Sequence, residues 1–116
     1  MDTQEAVRIA EAEIKSLEYP ATPQKRRKFD GESNKDYGAY LDTYEWDMAT
    51  FNQRRKEYRD AEGRITGRFK QNLFESHGVQ NNPKRDKVWN MAWDRGHSNG
   101  YNEVAAEFEQ LVALIA

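Results

Sequence analysis

Residues 37–73 read YGAYLDTYEWDMATFNQRRKEYRDAEGRITGRFKQNL. Within them Tyr37, Leu41, Tyr44, Met48, Phe51, Arg55, Tyr58, Glu62, Ile65 and Phe69 follow one another at alternating intervals of four and three, and Leu73 extends the run. Eight of those ten are apolar or aromatic. That spacing gathers one stripe on one side of a helix, and its mean interval of about 3.5 residues suits pairing with a second helix. Some 40 residues at about 1.5 Å each make a helix of roughly 60 Å. A helix of that length cannot bury its stripe alone. The other segments, or a second copy of the chain, are expected to cover it.

Working outward, the helix is predicted over 36–77. Ser33, Asn34 and Asp36 are candidate caps for its start, and Gly78 closes it as the first residue past the end. Gly63 and Gly67 each cost about 1 kcal/mol against alanine inside a helix. The stripe nevertheless keeps its phase across both, so an unbroken helix is expected, with the glycines admitting another backbone. Upstream, residues 3–18 form a first helix, capped by Thr3, with Val7, Ala10, Ile14 and Leu17 on one side. Tyr19-Pro20 ends it. Residues 20–35 are a connector broken by Pro20, Pro23 and Gly31, and they hold the run Lys25-Arg26-Arg27-Lys28, followed by Phe29 as an anchor. Downstream, Pro83 opens a helix over 83–95, and Ser98 or Asn99 caps a last amphipathic helix over 99–115. The expected fold is all-α, a single domain over 1–116. In it a long central helix packs with an N-terminal helix and a C-terminal helical hairpin, as a homodimer.

The composition agrees with a small helical domain. Of 116 residues, 37% are hydrophobic and 33% charged, with three Trp, six Tyr and five Phe. Aromatics must therefore supply much of the core. A net charge of −2 argues against a general nucleic-acid binder and against an acidic mimic of DNA. The absence of cysteine removes disulfides, thiol nucleophiles and thiolate metal sites. No apolar run approaches the roughly 20 residues that cross a bilayer, and no signal-peptide core opens the chain. A cytoplasmic protein without membrane contact is expected. Charge is arranged in blocks: residues 36–50 carry four acids and no Lys or Arg, whereas 51–70 carry seven bases and three acids. Two arrangements use this: the acidic first and last helices lie along the basic half, or two long helices pair antiparallel with acid against base, and in either the signs would select register and orientation.

The most distinctive words lie at Trp89-Asn90-Met91-Ala92-Trp93-Asp94-Arg95-Gly96-His97-Ser98-Asn99-Gly100-Tyr101-Asn102-Glu103-Val104, ahead of Leu111-Val112-Ala113-Leu114-Ile115. This region resembles the C-terminal segment of small uncharacterised bacteriophage accessory proteins, where a W-x-x-A-W-x-x-G-H-S-x-G-x-x-E-V-like run precedes an amphipathic helix. The resemblance covers about the last 30 to 45 residues. It implies a phage or prophage setting and a host-directed role, and it carries no mechanism.

Chemistry is weakly signalled. Asp94, His97 and Glu103 invite a metal or acid/base reading. The structural reading is favoured, because His97 lies in a Gly-rich turn and Glu103 in a first helical turn, where the dipole favours a carboxylate. Gly-His-Ser-Asn-Gly has the glycine spacing of a nucleophile elbow but no preceding strand. There is no phosphate loop, dinucleotide fingerprint or HExxH. No catalytic residue, cofactor or metal is assigned. Trp89 and Trp93, one turn apart, read as core rather than a clamp for a flat ligand.

The expected function is therefore that of a non-enzymatic phage-type accessory protein. It binds and modulates a host protein, with inhibition favoured over a role in assembly, in the host cytoplasm, through a helical surface. Exposed aromatics and Arg are the usual anchors of such surfaces, and Tyr40, Trp46, Arg54 and Arg55 are the candidates. The alternative is a nucleic-acid binder that tracks phosphates with Lys25, Arg26, Arg27, Lys28, Arg59, Arg64 and Arg68. A third reading, a small hydrolase or ligand site around His97, predicts that His97→Ala abolishes activity and spares stability.

Overall fold

The computed structural model of the chain describes residues 1–115. Four α-helices follow in order: α1 (Thr3–Lys15), α2 (Asn34–His77), α3 (Arg85–Gly96) and α4 (Tyr101–Val112), with a short 3₁₀ turn (His97–Asn99) between the last two. No strand occurs among the described residues. No helix among them is long and apolar enough to cross a membrane. The architecture is the all-α one expected, with a long central helix packed against an N-terminal helix and a C-terminal hairpin.

The ends of the helices are set by local chemistry. Asp2, not Thr3, caps α1: its carboxylate accepts the Glu5 backbone N–H at 2.7 Å. Thr3 is thereby inside the first turn, and its hydroxyl meets the Ser76 hydroxyl at 3.1 Å and His77 Nε2 at 3.2 Å. α1 stops at Lys15 rather than reaching 18. Ser16 donates its hydroxyl back to the Glu13 carbonyl at 2.6 Å, and Leu17 N–H turns tightly to the Ile14 carbonyl. At the start of α2 the Ser33 hydroxyl accepts the Asp36 N–H at 3.1 Å. At its end Gly78 takes φ +66°, Val79 N–H reaches the Phe74 carbonyl, and Gly78 N–H reaches the Glu75 carbonyl. That is a Schellman ending, accompanied by its usual apolar contact, since Val79 and Phe74 are both buried in the same core. α3 begins at Arg85 instead of at Pro83, because the Asn82 side chain takes the Lys84 N–H and holds 82–84 in a turn. Neither Ser98 nor Asn99 caps α4. Gly100, at φ +101°, breaks the 3₁₀ turn from the helix.

The chain falls into two compact units, one of Met1–Leu17 with the residues from Glu62 onward, the other of Glu18–Ala61. In the first, Ala6, Val7 and Ala10 of α1 meet Ile65, Phe69, Leu73 and Phe74 of α2, with the inner faces of α3 and α4 closing the core. Phe69 lies edge-on to Trp89 and to Tyr101, and Phe74 packs on Phe108. Trp89 is buried and stacks on half-buried Trp93, so the pair is core. α2 runs without a break through Gly63 and Gly67. The expectation that these two glycines admit another backbone is corrected: among the described residues nothing lies within 4 Å of where a Cβ would stand on either.

In the second unit no helix of the same chain covers the stripe of α2 among the described residues. The connector does it, as an extended strap. Tyr19 sets its ring edge-on to Phe51 and Tyr58, while Arg26 reaches Tyr37 and Tyr40, so the strap runs antiparallel to the helix. The lengths match. From Tyr19 to Arg26 an extended chain reaches about 22 Å. Between the Tyr37–Tyr40 pair and the Phe51–Tyr58 pair the helix rises about 24 Å. Pro20 and Pro23, which forbid a helix here, favour that extended form.

Candidate interaction surface

The densest polar cluster is where the strap is fastened. The Arg26 guanidinium lies 4.0 Å from the ring centres of both Phe29 and Tyr40, and forms two 2.9 Å bonds to the Glu32 carboxylate. Its backbone joins in. Arg26 N–H donates to the Tyr40 hydroxyl at 2.8 Å, and the Tyr37 hydroxyl donates to the Arg26 carbonyl at 3.1 Å. The Tyr40 hydroxyl donates in turn to the Gln24 carbonyl at 3.2 Å. Hydrogen bonding from Arg26 lowers the Glu32 pKa, helped by the Phe29 N–H at 3.1 Å, and the same pairing raises that of Arg26. A bidentate guanidinium–carboxylate pair capped by two aromatic rings is a fixed piece of structure. Phe29 is 62% exposed and serves as a lid on Arg26, not as an anchor on the helix.

The four candidate anchors do not converge on one face. At about 100° per residue, Arg54 lies about 80° around the helix from Trp46, Tyr40 about 120° and Arg55 about 180°. Tyr40 and Arg55 therefore belong to the strap side. Both are half-buried; Tyr40 holds the strap, and the Arg55 guanidinium lies 5.6 Å from the Phe51 ring. Trp46 is on the opposite, outward side, 75% exposed, the most open aromatic of the described residues. Asp42, one turn before it, is exposed, as are Glu45 and Asp47, which project about 100° to either side, and Arg54.

The basic residues are likewise divided. Arg26 is spent on Glu32, Lys28 bonds Asn34, and Arg68 pairs with Glu13. Lys25 stands 6.0 Å from the Tyr44 ring centre. Arg27, Arg59 and Arg64 are exposed.

His97 is held structurally. Its Nδ1 is 2.7 Å from the Trp93 carbonyl, one turn back, and its ring stacks on Trp93 at 5.2 Å. Sequence reasoning expected one anchor in the connector, Phe29, and missed that the whole segment is a strap. The signal was present in aromatic Tyr19 ahead of two prolines and in the Arg26–Glu32 spacing, but neither has a helical period to reveal it.

No curated protein and no solved structure matches the chain. A family model does match, over residues 8–116, and the chain belongs to that family, DUF8546, a family of unknown function.

Proposed function

We propose that this protein is a non-enzymatic phage-type accessory protein that binds a host protein through the outward face of α2 and inhibits it by occlusion. One observation carries the reading: Trp46 stands 75% exposed on a helix face flanked by Asp42, Glu45 and Asp47. A large aromatic that contributes nothing to its own core is what a binding hot spot needs, and flanking acids steer and orient a basic partner. The resemblance of 89–104 to phage accessory proteins supports a host-directed role in the host cytoplasm. Arg54 lies at the edge of this face and supplies a contrasting charge.

The test compares wild type with Trp46→Ala as bait in a bacterial host lysate. A host protein held by wild type and lost with Trp46→Ala, at equal helicity, supports the reading. A captured set that ignores the substitution sinks it. The nucleic-acid reading is favoured by the exposed bases Lys25, Arg27, Lys28, Arg59, Arg64 and Arg68, although Lys28 bonds Asn34 and Arg68 pairs with Glu13. It requires retention on DNA or RNA at about 50 mM salt and a steep loss as salt rises.

A further inference from the structure

The stripe of α2 beneath the strap has the repeat of a helix-pairing seam, yet an extended segment lies on it. The cover is partial. Tyr37, Leu41, Tyr44, Met48 and Tyr58 stay half-exposed beneath it, and Tyr19 of the strap is itself 54% exposed. In heptad terms Leu41, Met48 and Arg55 take the a positions, Tyr44, Phe51 and Tyr58 the d positions, and Asp47 and Arg54 the flanking g positions.

We infer that this seam is the docking site for the same seam of a second copy, antiparallel, and that the strap occupies it in competition. One register fits both packing and charge. Met48 faces Phe51 of the second copy, Tyr44 faces Arg55, and Leu41 faces Tyr58, so every layer joins an a to a d position. In that register Asp47 flanks Arg54 of the other chain, and the two-fold axis repeats the pairing. A parallel alignment offers no such match, since it brings Arg54 beside Arg59 of the other chain. The strap reproduces these contacts within one chain. Lys25 stands over the Tyr44 ring, where Arg55 of a second copy would stand, and Tyr19 covers Phe51 and Tyr58 in place of Met48 and Leu41. The fastening of Arg26 to Glu32, Tyr37 and Tyr40 then sets how readily the seam is released. Trp46 itself lies on the opposite side of the helix, so Trp46→Ala should leave this association intact, whereas Asp47 and Arg54 border both faces.

The experiment is sedimentation equilibrium of the full chain from micromolar to millimolar concentration, with far-UV circular dichroism to check helicity. Four chains are compared: wild type, Arg26→Ala, Asp47→Arg in the Arg26→Ala background, and the same with Arg54→Asp added. Loosening the strap with Arg26→Ala is expected to tighten dimerisation at least tenfold. Asp47→Arg is expected to reverse that gain, and the added Arg54→Asp to restore it. The inference is overturned if Arg26→Ala remains monomeric at millimolar concentration with its helicity intact. It is equally overturned if association ignores the charge exchange, which would mean that the exposed stripe merely aggregates.

Discussion

Gly96 of α3 lies so close to Val104 of α4 that a Cβ on it would stand 2.7 Å from the Val104 backbone nitrogen. The neighbouring atoms are backbone, the Val104 Cα at 2.8 Å and the Glu103 carbonyl carbon at 2.9 Å, and no rotamer change relieves them. Gly96→Ala must therefore push the α3–α4 hairpin apart. The gain in helix propensity, about 1 kcal/mol, is outweighed by overpacking that costs about 1–3 kcal/mol and more where backbone must move. A net loss of stability is expected, read as a lower urea midpoint.

Gly63 and Gly67 are helical glycines of the opposite kind. An added Cβ meets nothing within 4 Å at either, and neither has a positive φ. Gly63→Ala and Gly67→Ala are each expected to stabilise the chain by about 0.5–1 kcal/mol, through helix propensity alone. Equilibrium unfolding checks this, and a destabilised variant would contradict the open surroundings of these positions.

Two aromatic substitutions separate core from surface. Phe69 is 1% exposed and packs edge-on to both Trp89 and Tyr101, so Phe69→Ala should cost about 3–5 kcal/mol. Trp46→Ala removes a side chain that packs on little, and its effect should stay within about 0.5 kcal/mol. Parallel denaturation of the two variants tests the contrast. A large loss at Trp46 would mean that the residue belongs to the fold.

The strap should loosen in acid. The folded-state pKa of Glu32 is lowered, chiefly by its hydrogen bonds from Arg26. Its contribution is therefore fully present above the ordinary glutamate value of about 4.3 and is lost as pH falls through the lowered folded value. Side-chain NMR shifts of Tyr37, Tyr40 and Arg26 should move together in that acid window. With Glu32→Gln the shifts should already sit at the loosened position and stay flat.

How far the chain could be read before folding differs from element to element. The four-and-three spacing from Tyr37 to Phe69 specified α2 through both glycines, because periodicity is local and each residue's place on a helix follows from its number. Gly78 announced the Schellman end, because the αL position that closes a helix favours glycine. The cap of α1 was misread by one residue, since Asp2 and Thr3 are both good caps and only the contact of Thr3 with Ser76 and His77 separates them. The candidate surface was half legible. That Trp46 leaves the main stripe is visible in its number, and so is the place of Tyr40 at the stripe's edge, but nothing local says that a strap will claim Tyr40.

By itself the sequence determined that the protein is helical, where its longest helix runs, most of the residues of that helix that point inward (Glu62 of the stripe is exposed, and buried Phe74 lies off it) and how its charges are blocked. All of these depend on intervals along one chain. Only the tertiary structure decided what covers the inward side. A seam spaced for a helix accepts an extended strap as well, provided that rings and a cation meet it, and that choice is made by contacts between residues with no fixed separation. The same holds for the glycines. Gly96 has backbone within 3 Å of an added Cβ and Gly63 and Gly67 have open space there, and a neighbour in space has no counterpart in the order of residues.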